Sequence, residues 1–211
     1  MAPFYSTVCE QLGWEADATW LAAMKESNAA EAAKLAEKLA DAEQNEGESE
    51  IAAALLARAE FLTRIGEKTD ALSAYDDALA KTVALGPKLD VMLAKLRIGL
   101  FFEDLKLVTS TIDKAKALLE EGGDWERRNR LKVYEALFLI RVRSFKKAAA
   151  LLLDSIATFT ATELLSYTQF VMYTVLTSLI SLPRAQLKEK IVDAPEILQA
   201  PHLNLDAWTR R

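Results

Sequence analysis

The sequence predicts an all-α protein, a right-handed α-solenoid of tetratricopeptide-like (TPR-like) helical hairpins. Apolar residues recur at spacings of three and four along most of the chain, as on the buried face of an amphipathic helix. Glycine and proline, which interrupt helices, number only 7 and 5 among 211 residues. A composition that is 51% hydrophobic and 27% charged also suits a chain that buries a core.

Residues 1–30 are expected to form an N-terminal cap or a partner-binding arm. The segment from Phe4 to Trp20 contains two tryptophans, Trp14 and Trp20. Cys9 is the single cysteine, so the sequence allows no intramolecular disulfide and fits a reducing compartment. The first residues show neither a charged stretch nor an apolar run, and no signal peptide is predicted.

Residues 31–197 are expected to form the repeat domain. Helical patterns in this range are interrupted by short breaks at Gly66, Gly86-Pro87, Glu103-Asp104, Gly122-Gly123 and Arg143-Ser144. Gly66 and Arg143 lie two periods apart with Glu103 midway, which gives a repeat of about 38–39 residues, slightly longer than a TPR unit. Such tight connections join antiparallel neighbours, so the helices are expected to pair as hairpins.

Small and aromatic residues at TPR spacing have predicted structural roles. Ala59 and Ala71, on either side of the turn at Gly66, are expected to let two helices approach closely. Tyr75 is expected to fill the groove between hairpins. Ala148 takes an equivalent place in a later hairpin, where a larger side chain would overpack the helices.

The most distinctive string runs from Gly122 to Tyr134. Asp124 is predicted to cap the helix that follows, because its carboxylate can accept from first-turn amides. Helical spacing puts Arg127 at the start of the apolar stripe, where it is expected to lie over the neighbouring hairpin and pair with an acid there. Since Trp and Arg are common interface anchors, a functional hypothesis makes four residues a docking surface: Trp125, Arg128, Arg130 and Lys132.

No residue pattern predicts catalysis, a cofactor or a metal site. There is no glycine-rich phosphate loop, and the only histidine, His202, lies in residues 198–211, which lose helical periodicity and are expected to form an irregular tail. A net charge of −5 gives no overall footprint of a nucleic-acid binder, although it leaves room for a local basic patch. The most apolar run, Phe170 to Leu182, is too short for a membrane span and predicts a buried helix.

Several strings resemble the subunit 6 family of the 26S proteasome lid. They include Gly-Glu-Ser-Glu-Ile at 47–51, Leu-Arg-Ile-Gly-Leu-Phe at 96–101 and the string at 123–134, and the resemblance runs in order from about Met1 to Leu198. It implies a non-catalytic scaffold of the regulatory-particle lid, acting in ubiquitin-dependent protein degradation in cytoplasm and nucleus. Its implied partners are other lid and base subunits. Family members continue into a PCI domain with a winged helix, which is expected to be absent from this chain.

Two alternatives stay open on the sequence. Subunit 1 of the COP9 signalosome shares the same layout of helical arm and PCI domain. A free-standing TPR-like peptide-binding module is the other, but a carboxylate clamp needs Lys and Asn where this chain has Leu56 and Glu60. Self-association is also expected, because the apolar side chains of residues 162–182 are too many for one preceding hairpin to cover.

Overall fold

The computed structural model describes residues 2–199, so that Met1 and residues 200–211, with His202, lie outside the described residues. Residues 2–199 form helices joined by short turns and contain no strand, which confirms the all-α prediction. The handedness of the solenoid stays a prediction. The helices are α1 Ala2–Leu12, α2 Ala18–Asn45, α3 Glu48–Ile65, α4 Lys68–Lys81, α5 Leu85–Phe101, α6 Leu105–Glu120, α7 Trp125–Arg141, α8 Phe145–Ser155, α9 Tyr167–Ser181, α10 Arg184–Leu187 and α11 Pro195–Gln199.

Two short turns of other helix types complete the described structure. A 3-10 turn, Ile156–Thr158, follows α8, and a π-helical turn, Lys188–Val192, follows α10. Helix α2 runs unbroken across position 30, where the sequence placed the end of the N-terminal arm. Leu198 and Gln199, the first residues of the predicted tail, belong to α11, and the rest of that tail lies outside the described residues.

The chain divides into two compact units, residues 1–98 and residues 99–211. In the first unit, α3 packs against both α2 and α4, and α1 packs against α2 and α3. In the second unit, α7 packs against α6 and α8, and α8 packs against α9. The pairs α2–α3, α3–α4, α6–α7, α7–α8 and α8–α9, which are adjacent in sequence, are therefore neighbours in space, as short connections favour.

Close packing at the turn between α3 and α4 depends on small residues. Gly66 ends α3 with a left-handed φ of 92°, which glycine adopts without steric cost. A Cβ atom at this position would lie 2.9 Å from the Cβ of Phe4 in α1, too close for any real side chain. Ala59 and Ala71 are fully buried, and the Tyr75 ring is buried on α4. The turn thus fixes the hairpin and makes room for α1 beside it.

The break predicted at Gly86-Pro87 lies a few residues earlier. The non-helical connection is Thr82–Ala84, and both Gly86 and Pro87 fall in the first turn of α5. Proline is tolerated there because first-turn amides have no partner within the helix, and its fixed φ suits helix initiation. Pro87, which the sequence analysis interpreted as a break between helices, is therefore part of the first turn of α5.

Two turns of the second unit, between α5 and α6 and between α7 and α8, repeat one geometry with a left-handed residue that is not glycine. Glu103 and Arg143 have left-handed φ values of 54° and 60°, which is uncommon for residues with a Cβ atom. After each of them one amide reaches back to a carbonyl of the preceding helix, Asp104 to Gly99 at 2.9 Å and Ser144 to Leu139 at 2.8 Å. The left-handed residues at 66, 103 and 143 are 37 and 40 residues apart, close to the predicted period.

Helix α9 buries hydroxyls and exposes aliphatic side chains. Thr174 and Ser178 are fully buried with Phe170, and the Thr174 hydroxyl donates to the Phe170 carbonyl oxygen at 2.8 Å. The opposite side carries large aliphatic residues that are 38–67% exposed: Met172, Leu176, Leu179 and Ile180. The prediction of a buried helix over 170–182 is therefore wrong for this face, which we call the α9 face. The helix contains no charged residue, so hydropathy alone could not orient it.

Candidate interaction surface around helix α7

Helix α7 begins at the cap that the sequence predicted. The Asp124 carboxylate accepts a hydrogen bond of 2.8 Å from the Arg127 amide, and its other oxygen forms an ion pair with the Arg127 guanidinium. The backbone hydrogen bond from Arg127 is the main reason why the pKa of Asp124 lies below its usual value. The prediction placed the acidic partner of Arg127 on a neighbouring hairpin. The cap carboxylate, three residues earlier on the same side of the helix, is that partner in this ion pair.

Arg130 forms an ion pair with Glu163, which lies 33 residues further along the chain. Its Nε and Nη2 atoms donate to Glu163 Oε1 at 3.1 and 2.7 Å, and the Tyr134 hydroxyl donates to the same oxygen at 3.0 Å. Burial raises the pKa of Glu163, but the hydrogen bonds from Arg130 and Tyr134 outweigh that effect and hold it below its usual value. Three donors therefore fix the segment before α9 onto α7, and we call this arrangement the Glu163 cluster.

Two further cations tie α7 to the helices on either side. Lys132 Nζ donates to Asp154 Oδ2 of α8 at 2.6 Å and to Asn129 Oδ1 at 3.2 Å. Arg128 Nη2 donates to the Leu119 carbonyl oxygen near the end of α6 at 3.2 Å. The same carbonyl oxygen also accepts from the Gly123 amide at 3.3 Å, so both contacts satisfy this carbonyl near the end of α6. The positive charges of α7 thus hold α6, α8 and the segment before α9 in register.

The predicted docking residues differ in their intramolecular contacts. Trp125 is 62% exposed at the start of α7, whereas Arg128, Arg130 and Lys132 each hold an intramolecular partner. A groove of about 350 Å³ brings Arg128 and Lys132 together but includes neither Trp125 nor Arg130. Its floor is apolar and consists of Leu119, Leu131 and Leu151. The docking role of the four residues stays a prediction, with Trp125 the member best placed for it.

The sequence did not single out Glu163 or Tyr134 as partners of Arg130. Glu163 lies 33 residues from Arg130 in a segment without regular periodicity, so no local spacing could connect them. The exposed aliphatic residues of α9 were expected from the sequence, because the apolar side chains of residues 162–182 are too many for one preceding hairpin to cover.

Two kinds of site are not found among residues 2–199. No group of three or more histidine, cysteine, aspartate or glutamate side chains in that range could hold a metal ion. No helix in the part of the chain that the structure describes has the length and hydropathy needed to cross a membrane.

Comparison with known proteins finds one family. The family model for 26S proteasome subunit RPN7 matches residues 17–190. The 26S proteasome non-ATPase regulatory subunit 6 homolog of Arabidopsis thaliana is 52% identical over 198 residues, which are 94% of this chain and 51% of that protein. The Oryza sativa subunit 6 is 52% identical over 97% of this chain and 54% of its own length. The RPN7 subunit of Saccharomyces cerevisiae is 43% identical over 74% of this chain and 36% of its own length. The chain spans about half the length of the first two relatives.

Proposed function

The chain belongs to the 26S proteasome subunit RPN7 family, and from this we propose that it is a non-catalytic structural component of the lid of the 26S regulatory particle. In this role it scaffolds lid assembly for ubiquitin-dependent protein degradation, in cytoplasm and nucleus. The observation that carries the proposal is the high identity of relatives named as proteasome regulatory subunits across nearly the whole chain, 52% over 94% and 97% of it.

The partners we propose are other lid and base subunits. Support comes from the large apolar side chains that the described chain leaves on its surface, among them Trp14, Trp20 and Trp125, each more than 60% exposed. Tryptophan is enriched among the residues that dominate binding energy at protein interfaces. Three exposed tryptophans therefore support the proposal that this chain binds other protein subunits.

The physical contribution we propose for α7 is rigidity. Charge-assisted hydrogen bonds are stronger than neutral ones, and α7 makes them to α8 through Lys132 and to the segment before α9 through Arg130. These contacts keep neighbouring helices in a fixed register. A scaffold needs such fixed geometry, because its partners must meet at defined positions.

The proposal is tested by reconstitution. The tagged chain is added to a recombinant lid assembled without its own subunit 6, and the captured proteins are identified by mass spectrometry. We expect lid subunits among the captured proteins. Capture of signalosome subunits from a mixed lysate instead would favour the COP9 alternative, and capture of chaperones with short peptides would favour a peptide-binding module.

The non-catalytic part of the proposal has its own test. Purified chain is incubated with ubiquitin conjugates and with nucleotide, and we expect no turnover. Reproducible hydrolysis that a single point substitution abolishes would contradict it.

A further inference from the structure

Two neighbouring turns of the second unit form a surface that the proposed function does not use. The turn between α5 and α6 and the turn between α7 and α8 are joined by an ion pair of 2.7 Å from Arg141 Nη2 to Glu103 Oε1. Because this contact spans the two turns, they lie at the same edge of the unit. We call the surface the basic edge and define it by six exposed residues: Phe101, Lys106, Val142, Arg143, Lys146 and Lys147.

The basic edge carries a charge opposite to that of the whole chain. Residues 101–107 and 141–147 hold five cations and two carboxylates, a net charge of +3, in a protein whose net charge is −5. Both carboxylates are engaged, since Glu103 pairs with Arg141 and Asp104 caps α6 by accepting from the Leu107 amide at 3.0 Å. After these two carboxylates are counted, the two segments of the basic edge keep their net charge of +3.

The positions of the lysines make this charge costly for the isolated fold. Lys146 and Lys147 lie in the first turn of α8, and Lys106 lies in the first turn of α6. The helix dipole disfavours cations at that end, and no acidic residue in the first turn of α8 offsets Lys146 and Lys147, whereas the Asp104 cap offsets part of this cost at α6. Packing within the chain does not explain the lysines either, because all three are exposed. An anionic group from outside would relieve this repulsion.

Apolar side chains stand among the cations. Phe101 is 59% exposed and contacts Phe102 edge to face, with the ring centroids 5.0 Å apart. Val142, 41% exposed, lies between Arg141 and Arg143. A surface that offers both apolar area and positive charge matches a protein segment with acidic and apolar residues better than it matches a bare polyanion.

We propose that the basic edge is a docking site for an acidic segment of a neighbouring proteasome subunit, with its apolar residues against Phe101 and Val142. This inference rests on the proposed function and names the chemistry of one partner. The complementary charges increase the rate of encounter and set the orientation, and the apolar contacts hold the complex.

The test uses two variants with equal changes of charge. Lys146→Glu with Lys147→Glu reverses the basic edge, and Lys34→Glu with Lys38→Glu makes the same change on the exposed side of α2. Capture of each by an immobilised recombinant lid without subunit 6 is measured over a range of salt concentrations. We expect the basic-edge variant to bind about tenfold more weakly than wild type at low salt, the difference shrinking as salt rises, and the α2 variant to bind within about twofold of wild type.

Thermal melting of the same variants separates binding from folding. Glutamate in the first turn of α8 interacts favourably with the helix dipole, so the basic-edge variant should melt no lower than wild type. Unchanged capture of that variant, or equal losses in both variants, would overturn the inference while leaving the proposed function intact. Tighter binding of wild type to a 20-nucleotide RNA or to phosphatidylserine vesicles than to the lid would overturn it in favour of those ligands. No capture of wild type at all would reject the proposed function, and the inference with it.

Discussion

The Glu163 cluster makes a quantitative prediction about stability. Glu163→Gln keeps the shape of the side chain and an oxygen for the Tyr134 hydroxyl, but it removes the charge that Arg130 faces. The side chains of Arg130 and Glu163 are only 20% and 25% exposed, so water screens the pair weakly. Hydrogen bonds to charged groups contribute about 1.5–3 kcal/mol each when one partner is lost. We expect Glu163→Gln to lower the free energy of unfolding by about 2 kcal/mol near neutral pH.

The control for this prediction is an ion pair of similar length at the surface. Arg141 and Glu103 are 2.7 Å apart with side chains 56% and 67% exposed. Exposed pairs contribute about 0–1 kcal/mol, so Glu103→Gln should change the unfolding free energy by less than about 1 kcal/mol. Urea titration followed by circular dichroism at 222 nm measures both variants. A loss for Glu163→Gln no larger than that for Glu103→Gln would refute the argument from burial.

The pH dependence of the same variant gives a second check. The pKa of Glu163 is lower in the folded chain than its unperturbed value of 4.5, so its contribution to stability is present above that value and is lost as pH falls through the folded-state pKa. The stability difference between wild type and Glu163→Gln should therefore shrink from about pH 5 to about pH 3. A difference that stays constant over this range would show that the charge of Glu163 is not its source.

Three other predictions concern core packing, the turn at Gly66 and self-association. Tyr75→Ala should cost about 2–4 kcal/mol because it empties a buried site, and Ala148→Leu should cost about 1–3 kcal/mol by overpacking a fully buried one; unchanged thermal melting in both would refute the repeat register. Gly66→Ala should cost at least about 1 kcal/mol, since a left-handed residue gains a Cβ atom that collides with α1, and a Tm equal to wild type would contradict the turn geometry. Leu176→Glu with Leu179→Glu should reduce self-association in sedimentation experiments without lowering the Tm, and a strictly monomeric wild type at high concentration would refute the role of the α9 face.

Local features of the fold could be predicted from the sequence. The cap at Asp124 and the turns at Gly66, Glu103 and Arg143 depend on residues within a few positions of one another. Spacings of three and four reveal a buried helical face directly. The repeat period followed from the same signals, because each turn starts the next helix at a corresponding position.

The partners of the α7 cations could not be predicted in the same way. Asp154 and Glu163 reach Lys132 and Arg130 across 22 and 33 residues, and nothing in their own neighbourhood marks them as partners. A positively charged helix face looks the same in sequence whether it meets a partner protein or the next helix. The docking surface therefore stays a prediction, and of its four residues Trp125 and Arg128 are the exposed ones.

The orientation of α9 has a consequence for substitution tolerance. Thr174 and Ser178 are fully enclosed, so a larger residue at either site has no volume to enter, although both would be classed as surface positions by hydropathy. Leu176 and Leu179 are about half exposed, so the fold of the isolated chain should accept many residue types there. A saturation mutagenesis scored on folding alone would thus find Thr174 and Ser178 less tolerant than Leu176 and Leu179, the reverse of their order in hydropathy. The same library scored on assembly would add exposed positions such as Leu176 and Leu179 to the intolerant ones, and the positions that change rank between the two screens would map the contact surface of α9.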